Sequence, residues 1–251
     1  MTARESTDLA RVTARARSGA QGPGRVPAAF GRRGAVLNDD ADGLQIAGLT
    51  SLSTCDWPGR LVATVFLQGC PWSCTYCHNP ELIDPRTPGV VPWTQVRDLL
   101  SRRAGLLDGL VFSGGEPTRQ PMLGAAMREV KEAGFGVGLH TSGAYPRRLA
   151  AVLGLVDWVG LDIKAPADLY EAITGVGRSA HAAFESLRLV LDAGVPVQVR
   201  TTVDPTVLDE EDVARLGRVL RHLGVHDHVR QEVRALGTTP EYQEALAAAR
   251  A

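Results

Sequence analysis

The strongest constraint on this chain is the alternation of short apolar segments with amphipathic ones between residues 44 and 233. LVATVFLQG (61–69), GLVFSG (109–114), GVGLHTSG (136–143), DWVGLDIK (157–164) and VPVQVRTTV (195–203) read as strands, with another near 228–233. Helical periodicity predicts helices over 94–103, with Thr94 as N-cap, and over 121–133, 146–153, 180–193 and 210–223. LQIAGLTSLST (44–54) is expected to be extended, Asp56-Trp57-Pro58-Gly59 a turn, and a short helix from Pro240 to close the chain. Strands this apolar are buried on both faces, so the pattern implies an α/β fold with a parallel sheet covered by helices. A Rossmann-type open sheet and a full or partial (β/α) barrel both satisfy it. In either, ligand-binding groups belong at the carboxyl ends of the strands. Here those ends carry GC, SGGEP, HTSG, D-I-K and RTT.

A chain of 251 residues makes one such domain, or at most two. No apolar run approaches the length of a membrane span, and a net charge of −1 argues against a dedicated nucleic-acid binder. The charge is uneven. Residues 1–36 carry seven Arg against Glu5 and Asp8, a local net of +5, which leaves −6 for the remainder. This Arg/Ala/Gly-rich stretch has no apolar period and is expected to be a disordered tail or an over-extended start, ahead of a single domain over 37–251. An Arg-rich, acid-poor leader is also the composition of a transit peptide. The lack of an apolar signal core argues against export, so a cytoplasmic location is expected.

Three of the four cysteines lie in GCPWSCTYCHNP (69–80), spaced C-x3-C-x2-C. Such clustering points to metal or redox chemistry rather than a disulfide framework. A structural zinc site needs a fourth ligand, from His78 or Cys55. His78 abuts Cys77 and would strain a tetrahedron, while Cys55 reads as a small buried residue. Three thiolates on an iron–sulfur cluster would instead leave one iron open, a catalytic design. In Ser113-Gly114-Gly115-Glu116-Pro117 the glycines permit close backbone approach to a ligand, and Glu116 could accept from an ammonium group. Asp162 and Lys164 alternate on one strand face and so point the same way, with a solvated ion pair as the plain alternative. The chain has 25 Arg but only Lys131 and Lys164, which suggests that a compact ammonium is wanted at position 164. His140 reads as a structural strand-end residue, and His222, His226 and His228 as solvated loop histidines.

The spacing of Cys70, Cys74 and Cys77, with Tyr76 before the last of them and GGEP after the next strand, resembles the radical S-adenosylmethionine (SAM) superfamily. The resemblance implies a partial (β/α)6-type barrel of parallel strands. It also implies a [4Fe–4S] cluster on Cys70, Cys74 and Cys77 whose open iron binds SAM. Gly114, Gly115 and Glu116 would then seat the methionine part, with Tyr76 near the adenine. The D-x-K residues Asp162 and Lys164 would act as catalytic and SAM-positioning groups, and Thr141 and Arg200 would hold the ribose and carboxylate.

CDWPGRLVATVFLQGCPWSCTYCHNPEL (55–82) resembles the activating proteins of anaerobic ribonucleoside-triphosphate reductase. This implies a glycyl-radical activase whose partners are the large reductase subunit and a flavodoxin or ferredoxin reductant. Pyruvate formate-lyase activating enzymes share the CHNP, GGEP and D-x-K motifs and form the alternative. A radical SAM enzyme acting on a small molecule, and a non-enzymatic metal protein, are more distant readings. No further C-x2-C pair is present, so no auxiliary cluster is expected. The Arg-rich N-terminus and the polar RQEVRALGTT (230–239), in place of an apolar last strand, depart from the family pattern.

Overall fold

A computed structural model describes residues 40–250. The tail expected at 1–36 lies outside the described residues. The elements run β1 (Ile46–Ser53), β2 (Val62–Leu67), α1 (Trp93–Arg102), β3 (Gly109–Gly114), α2 (Leu123–Glu132), β4 (Gly136–Thr141), α3 (Pro146–Val152) and β5 (Trp158–Asp162). They continue with α4 (Tyr170–Thr174), α5 (Ser179–Asp192), β6 (Val197–Val203), α6 (Glu210–His222), β7 (His228–Glu232) and α7 (Pro240–Ala249). One sheet holds all seven strands in chain order, with β2 to β7 parallel. Each helical crossover therefore steps to the next strand in the same direction. A doubly wound sheet would reverse its order at a switch point, so the topology selects the barrel of the two folds compatible with the sequence. The ends, β1 and β7, do not pair, and the barrel is unclosed.

The apolar segments behave as their composition demands: β2, β3 and β5 each bury four consecutive residues, covered on both faces. Four details depart from expectation. The extended segment at 44–54 forms β1 antiparallel to β2, capping the first edge of the parallel sheet. Helix α1 is entered from the extended backbone of Pro92, and Thr94 falls inside its first turn instead of capping it. Between β5 and α5, where no element was predicted, the chain forms the short helix α4. Cys55 is exposed, its Sγ 3.4 Å from Ser53 Oγ, and is not the buried residue expected. The polar character of 230–239 is accounted for by position, since β7 is an edge strand with its last three residues exposed.

The predicted Asp56-Trp57-Pro58-Gly59 turn forms, with the Arg60 N–H donating to the Trp57 carbonyl at 3.1 Å and Gly59 at φ +73°. Pro at the second and left-handed Gly at the third position are the type II pattern. The turn aims Trp57 at the sheet, where it stacks on Trp158 with ring centroids 5.8 Å apart. A Cβ at Gly138 would lie 2.9 Å from this indole, and Cβ atoms at Gly109 and Gly136 would lie 3.2 Å from it. The glycines that weaken β3 and β4 as strands thus make room for a tryptophan delivered from elsewhere. Trp57→Ala is expected to lower stability by about 2–4 kcal/mol, since the space has no other occupant. A urea midpoint indistinguishable from wild type would show that the ring does not fill the sheet face. Among the described residues no helix is long and apolar enough to cross a membrane.

Candidate functional site

After β2 the chain turns at Gly69, φ +95°, and enters a loop carrying the three clustered cysteines. Around the cysteines the loop has no helix or strand, so much of its backbone is satisfied from outside. Cys70 N–H donates to the Ile83 carbonyl at 3.1 Å, Ser73 N–H to Thr174 at 3.0 Å, and Thr75 N–H to Ile173 at 2.9 Å. The last two acceptors belong to α4, the helix not foreseen from sequence. The entry is equally tight: a Cβ on Gly114 would lie 2.2 Å from Leu67 N, and one on Gly115 would lie 2.5 Å from the Gly69 carbonyl oxygen. Gly114 also has φ +120°. The paired glycines are required first for the β3 exit to pass against the cysteine loop.

Loop and strand ends enclose a cavity of about 300 Å³ at the carboxyl edge of the parallel strands. The loop contributes Cys70, Cys74, Cys77 and Tyr76; β3 and its exit contribute Ser113, Gly114 and Gly115; β4 contributes His140 and Thr141. Asp162, Lys164 and Arg200 come from the next two strand ends. The structure therefore brings together every site residue predicted from sequence except Glu116. That carboxylate is fully buried and does not line the cavity. Oε1 accepts from Thr118 N–H at 3.1 Å, Thr118 Oγ1 at 2.5 Å and Thr141 Oγ1 at 2.7 Å. Oε2 accepts from Ser142 N–H at 2.8 Å and Ser142 Oγ at 2.6 Å. Its lone pairs are taken up in joining the β3 and β4 exits, so the carboxylate braces the cavity wall.

Opposite the thiols lies a row of charge. Arg200 lies 3.1 Å from Asp162, and Lys164 Nζ lies 3.5 Å from the same carboxylate. Ile163, between the two D-I-K charges, is buried in the core, as strand alternation requires. Burial works against the Asp162 carboxylate, yet Arg200, Lys164 and His140 hold its pKa below the usual value. Burial likewise opposes the Lys164 ammonium, and the Tyr76, Cys74 and Asp162 groups around it more than offset this. Two cations against one carboxylate leave one positive charge facing the cysteines. The solvated ion pair considered from sequence is instead a triad of two largely buried cations on a part-exposed carboxylate, the Lys164 side chain 10% and Asp162 36% exposed.

His140 is placed in the cavity floor. Its Nε2 lies 2.6 Å from the Asp56 carbonyl, which can only accept, so Nε2 carries the ring proton. Burial and then Arg200 push its pKa down to about 4, and the ring is neutral at physiological pH. Asp56, Trp72, Ser142, Thr202 and Gln231 also line the cavity and were not predicted. The signal for His140 and Ser142 was their place in HTSG at a strand end. Trp72 and Gln231 carried none, because their inward positions follow from the loop path and from the edge strand.

The His78 ring is engaged by the Arg234 carbonyl, 3.2 Å from Nε2, and the His222 and His226 side chains do not line the cavity. Among the described residues, no three Cys, His, Asp or Glu side chains converge on a single-ion site. Three sulfurs spread around a cavity wall suit a polynuclear cluster, whose corners take one ligand each. Burial pushes the Cys70 thiol up to about 12 and raises Cys74 and Cys77, so as free thiols they hold their protons; iron would remove them on binding. The Tyr76 hydroxyl is buried with no hydrogen-bond partner, an orphan beside the cavity that a ligand could satisfy. Lys164 Nζ lies 5.5 Å from the centre of the same ring. These residues fit a three-thiolate cluster with a polar co-ligand.

The model of the Radical SAM superfamily matches residues 64–223. The chain is 31% identical over 183 residues to a Methanocaldococcus jannaschii protein assigned by inference as a glycyl-radical enzyme activating enzyme, covering 70% of this chain and 75% of that relative. It is 31% identical over 186 residues to the pyruvate formate-lyase-activating enzyme of Clostridium pasteurianum, covering 71% and 77%. Among solved structures, Streptococcus suis SuiB bound to S-adenosylmethionine superposes with a TM-score of 0.56 at 13% identity, over 70% of this chain and 40% of that one. TYW1 with a lysine-pyruvate adduct superposes at 0.52 and 16% identity, over 76% and 70%. At these identities the two structures attest the fold alone.

Proposed function

We propose, from the premise that this chain belongs to the radical SAM superfamily and within it to the glycyl-radical enzyme activating enzymes, that it installs the glycyl radical of an anaerobic ribonucleoside-triphosphate reductase. The observation that carries the chemistry is the meeting of Cys70, Cys74 and Cys77 with Gly114, Gly115, Thr141, Asp162 and Lys164 around one cavity. When bound, a [4Fe–4S] cluster on the three thiolates supplies the electron that cleaves SAM and so starts hydrogen-atom removal from the target glycine.

The chain's own residues bind and orient. Gly114 and Gly115 offer backbone to the methionine part of SAM. Lys164, Arg200 and Asp162 present a cationic row with one embedded carboxylate, suited to the zwitterionic end of a ligand or its ribose hydroxyls. Neutral His140 and Thr141 add hydrogen-bonding groups without further charge, and Tyr76 offers its unpartnered hydroxyl. Burial of Lys164 and Arg200 beside the part-exposed Asp162 limits water around the row, which strengthens these contacts. The reading also places the protein in the cytoplasm under low oxygen, with flavodoxin or ferredoxin as reductant, and residues 37–251 as one radical SAM domain.

The choice of partner rests on the D-W-P-G turn, the FLQGC entry and the YCHNPEL exit. Pyruvate formate-lyase is the second reading, favoured by the identity to the clostridial activating enzyme. Each candidate enzyme would be incubated anaerobically with this protein, SAM and a one-electron reductant. A glycyl-radical EPR signal appearing on the reductase, and not on the lyase, is the expected result. A signal on the lyase alone would transfer the assignment to it. A signal on neither, with SAM cleaved, would point to a different acceptor.

A further inference from the structure

Thr75 lies inside the cysteine loop, between two proposed ligands, and its side chain is not free. Its hydroxyl donates at 2.7 Å to Asp204, 129 positions away in sequence and just past β6. Asp204 is fully buried. It also accepts from Thr206 N–H at 3.0 Å, Thr206 Oγ1 at 2.7 Å, and the Tyr242 hydroxyl of α7 at 2.8 Å. No Lys, Arg or His among the described residues forms an ion pair with it. A buried carboxylate held only by neutral donors is tolerated when its donors are well placed, because each hydrogen bond to a charged group is about twice as strong as a neutral one. The C-terminal segment meets the far end of the loop as well. The Arg234 carbonyl lies 3.2 Å from His78 Nε2, and a Cβ on Gly237 would lie 2.9 Å from the His78 carbonyl oxygen.

We propose that Asp204 is a positioning residue that ties the cysteine loop to α7, making the C-terminal helix part of the scaffold that sets the geometry of the three thiolates. This rests on the reading of Cys70, Cys74 and Cys77 as cluster ligands. Thr75 has no other side-chain anchor among the hydrogen bonds of the described residues, and its neighbours Cys74 and Tyr76 both line the cavity. A shift of Asp204 therefore moves the backbone that carries two thiolates. Among the hydrogen bonds of the described residues, Tyr242 alone joins α7 to this carboxylate. None of the three was predicted as a site residue: Thr75 and Asp204 lie inside or beside known motifs, but their link across 129 positions is made only by the fold.

The test uses the full chain, reconstituted anaerobically with iron and sulfide. Tyr242→Phe and Thr75→Val each remove one donor to Asp204 with little change of shape, and Asp204→Asn removes the charge. Iron release to a chelator and the EPR line shape of the reduced cluster are followed beside the melting temperature of each apoprotein. Each variant is expected to release iron roughly tenfold faster, the scale of one lost hydrogen bond to a buried charge, and to alter the g-values. The Thr75→Val/Tyr242→Phe double variant should show less than the combined effect, because both act through one carboxylate. A Tyr242→Phe protein that melts earlier but matches wild type in release rate and EPR spectrum would show that α7 only packs, and would overturn the proposal. If Asp204→Asn does not fold, the two single-donor variants decide. A wild-type protein that takes up no cluster removes the site reading and this proposal together; a loaded wild type with indistinguishable variants removes this proposal alone.

Discussion

Replacing Cys70, Cys74 or Cys77 by Ala abolishes iron–sulfur uptake and SAM cleavage, while Cys55→Ala preserves both: this is the largest contrast expected for the protein. The three clustered cysteines line one cavity, and removing any one leaves two thiols where the cluster needs three. Their burial sharpens the effect. A lone buried thiol stays protonated, so a partial site gains little from the remaining pair. Cys55 is exposed beyond the end of β1, and among the described residues its hydrogen bonds go to Ser53. Iron and acid-labile sulfide per chain after anaerobic reconstitution, with methionine and 5′-deoxyadenosine formation, measure the contrast. Iron loss in Cys55→Ala would contradict the ligand set, and full loading of any of the other three would do so from the opposite side.

The second large effect is expected at Glu116, and it separates two roles. If the carboxylate only received the amino group of SAM, Glu116→Gln would weaken SAM binding and leave the unliganded protein as stable as before. The structure points to a support role, with both oxygens taken by Thr118, Thr141 and Ser142. A Gln amide nitrogen cannot accept, so at least the donors to one oxygen lose their partner inside the protein. The expected cost is about 3 kcal/mol, two charge-assisted bonds at the lower end of their usual worth. For a domain of this size that corresponds to a fall of about 6–12 °C in the melting temperature of the apoprotein. SAM affinity should fall with it, as Thr141 and Ser142 lose their fixed positions. An apoprotein melting at the wild-type temperature would return Glu116 to direct ligand contact.

These two cases mark how far the residues could be read in order. The cysteine triad was legible because its ligand chemistry is encoded in contiguous spacing, and GGEP and D-I-K because they fall at the ends of strands that the apolar pattern locates. The role of Glu116 was not legible. Its partners Thr118, Thr141 and Ser142 come from two strand exits, and nothing local says that their hydroxyls turn inward together. The glycine pair shows the same limit. Close approach was foreseen, but not that the backbone of Leu67 and Gly69 also requires it.

The fold divides along the same line. Strand type, helix positions and the type II turn at Trp57 follow from periodicity and from Pro and Gly chemistry, which act over a few residues. The choice of a barrel over a doubly wound sheet, the antiparallel placement of β1, the tryptophan seated over Gly109, Gly136 and Gly138, and the Asp204 link to α7 do not. Strand order depends on the direction of successive crossovers, and buried polar links depend on which distant donors share a site once water is excluded. By itself the sequence determined the chemistry available to this protein, because ligand spacing is local. Only the tertiary structure decided which residues touch the cavity and which hold its walls, because that assignment is made by packing between separate strand exits and loops, 25 positions apart for Glu116 and Thr141 and 129 for Thr75 and Asp204.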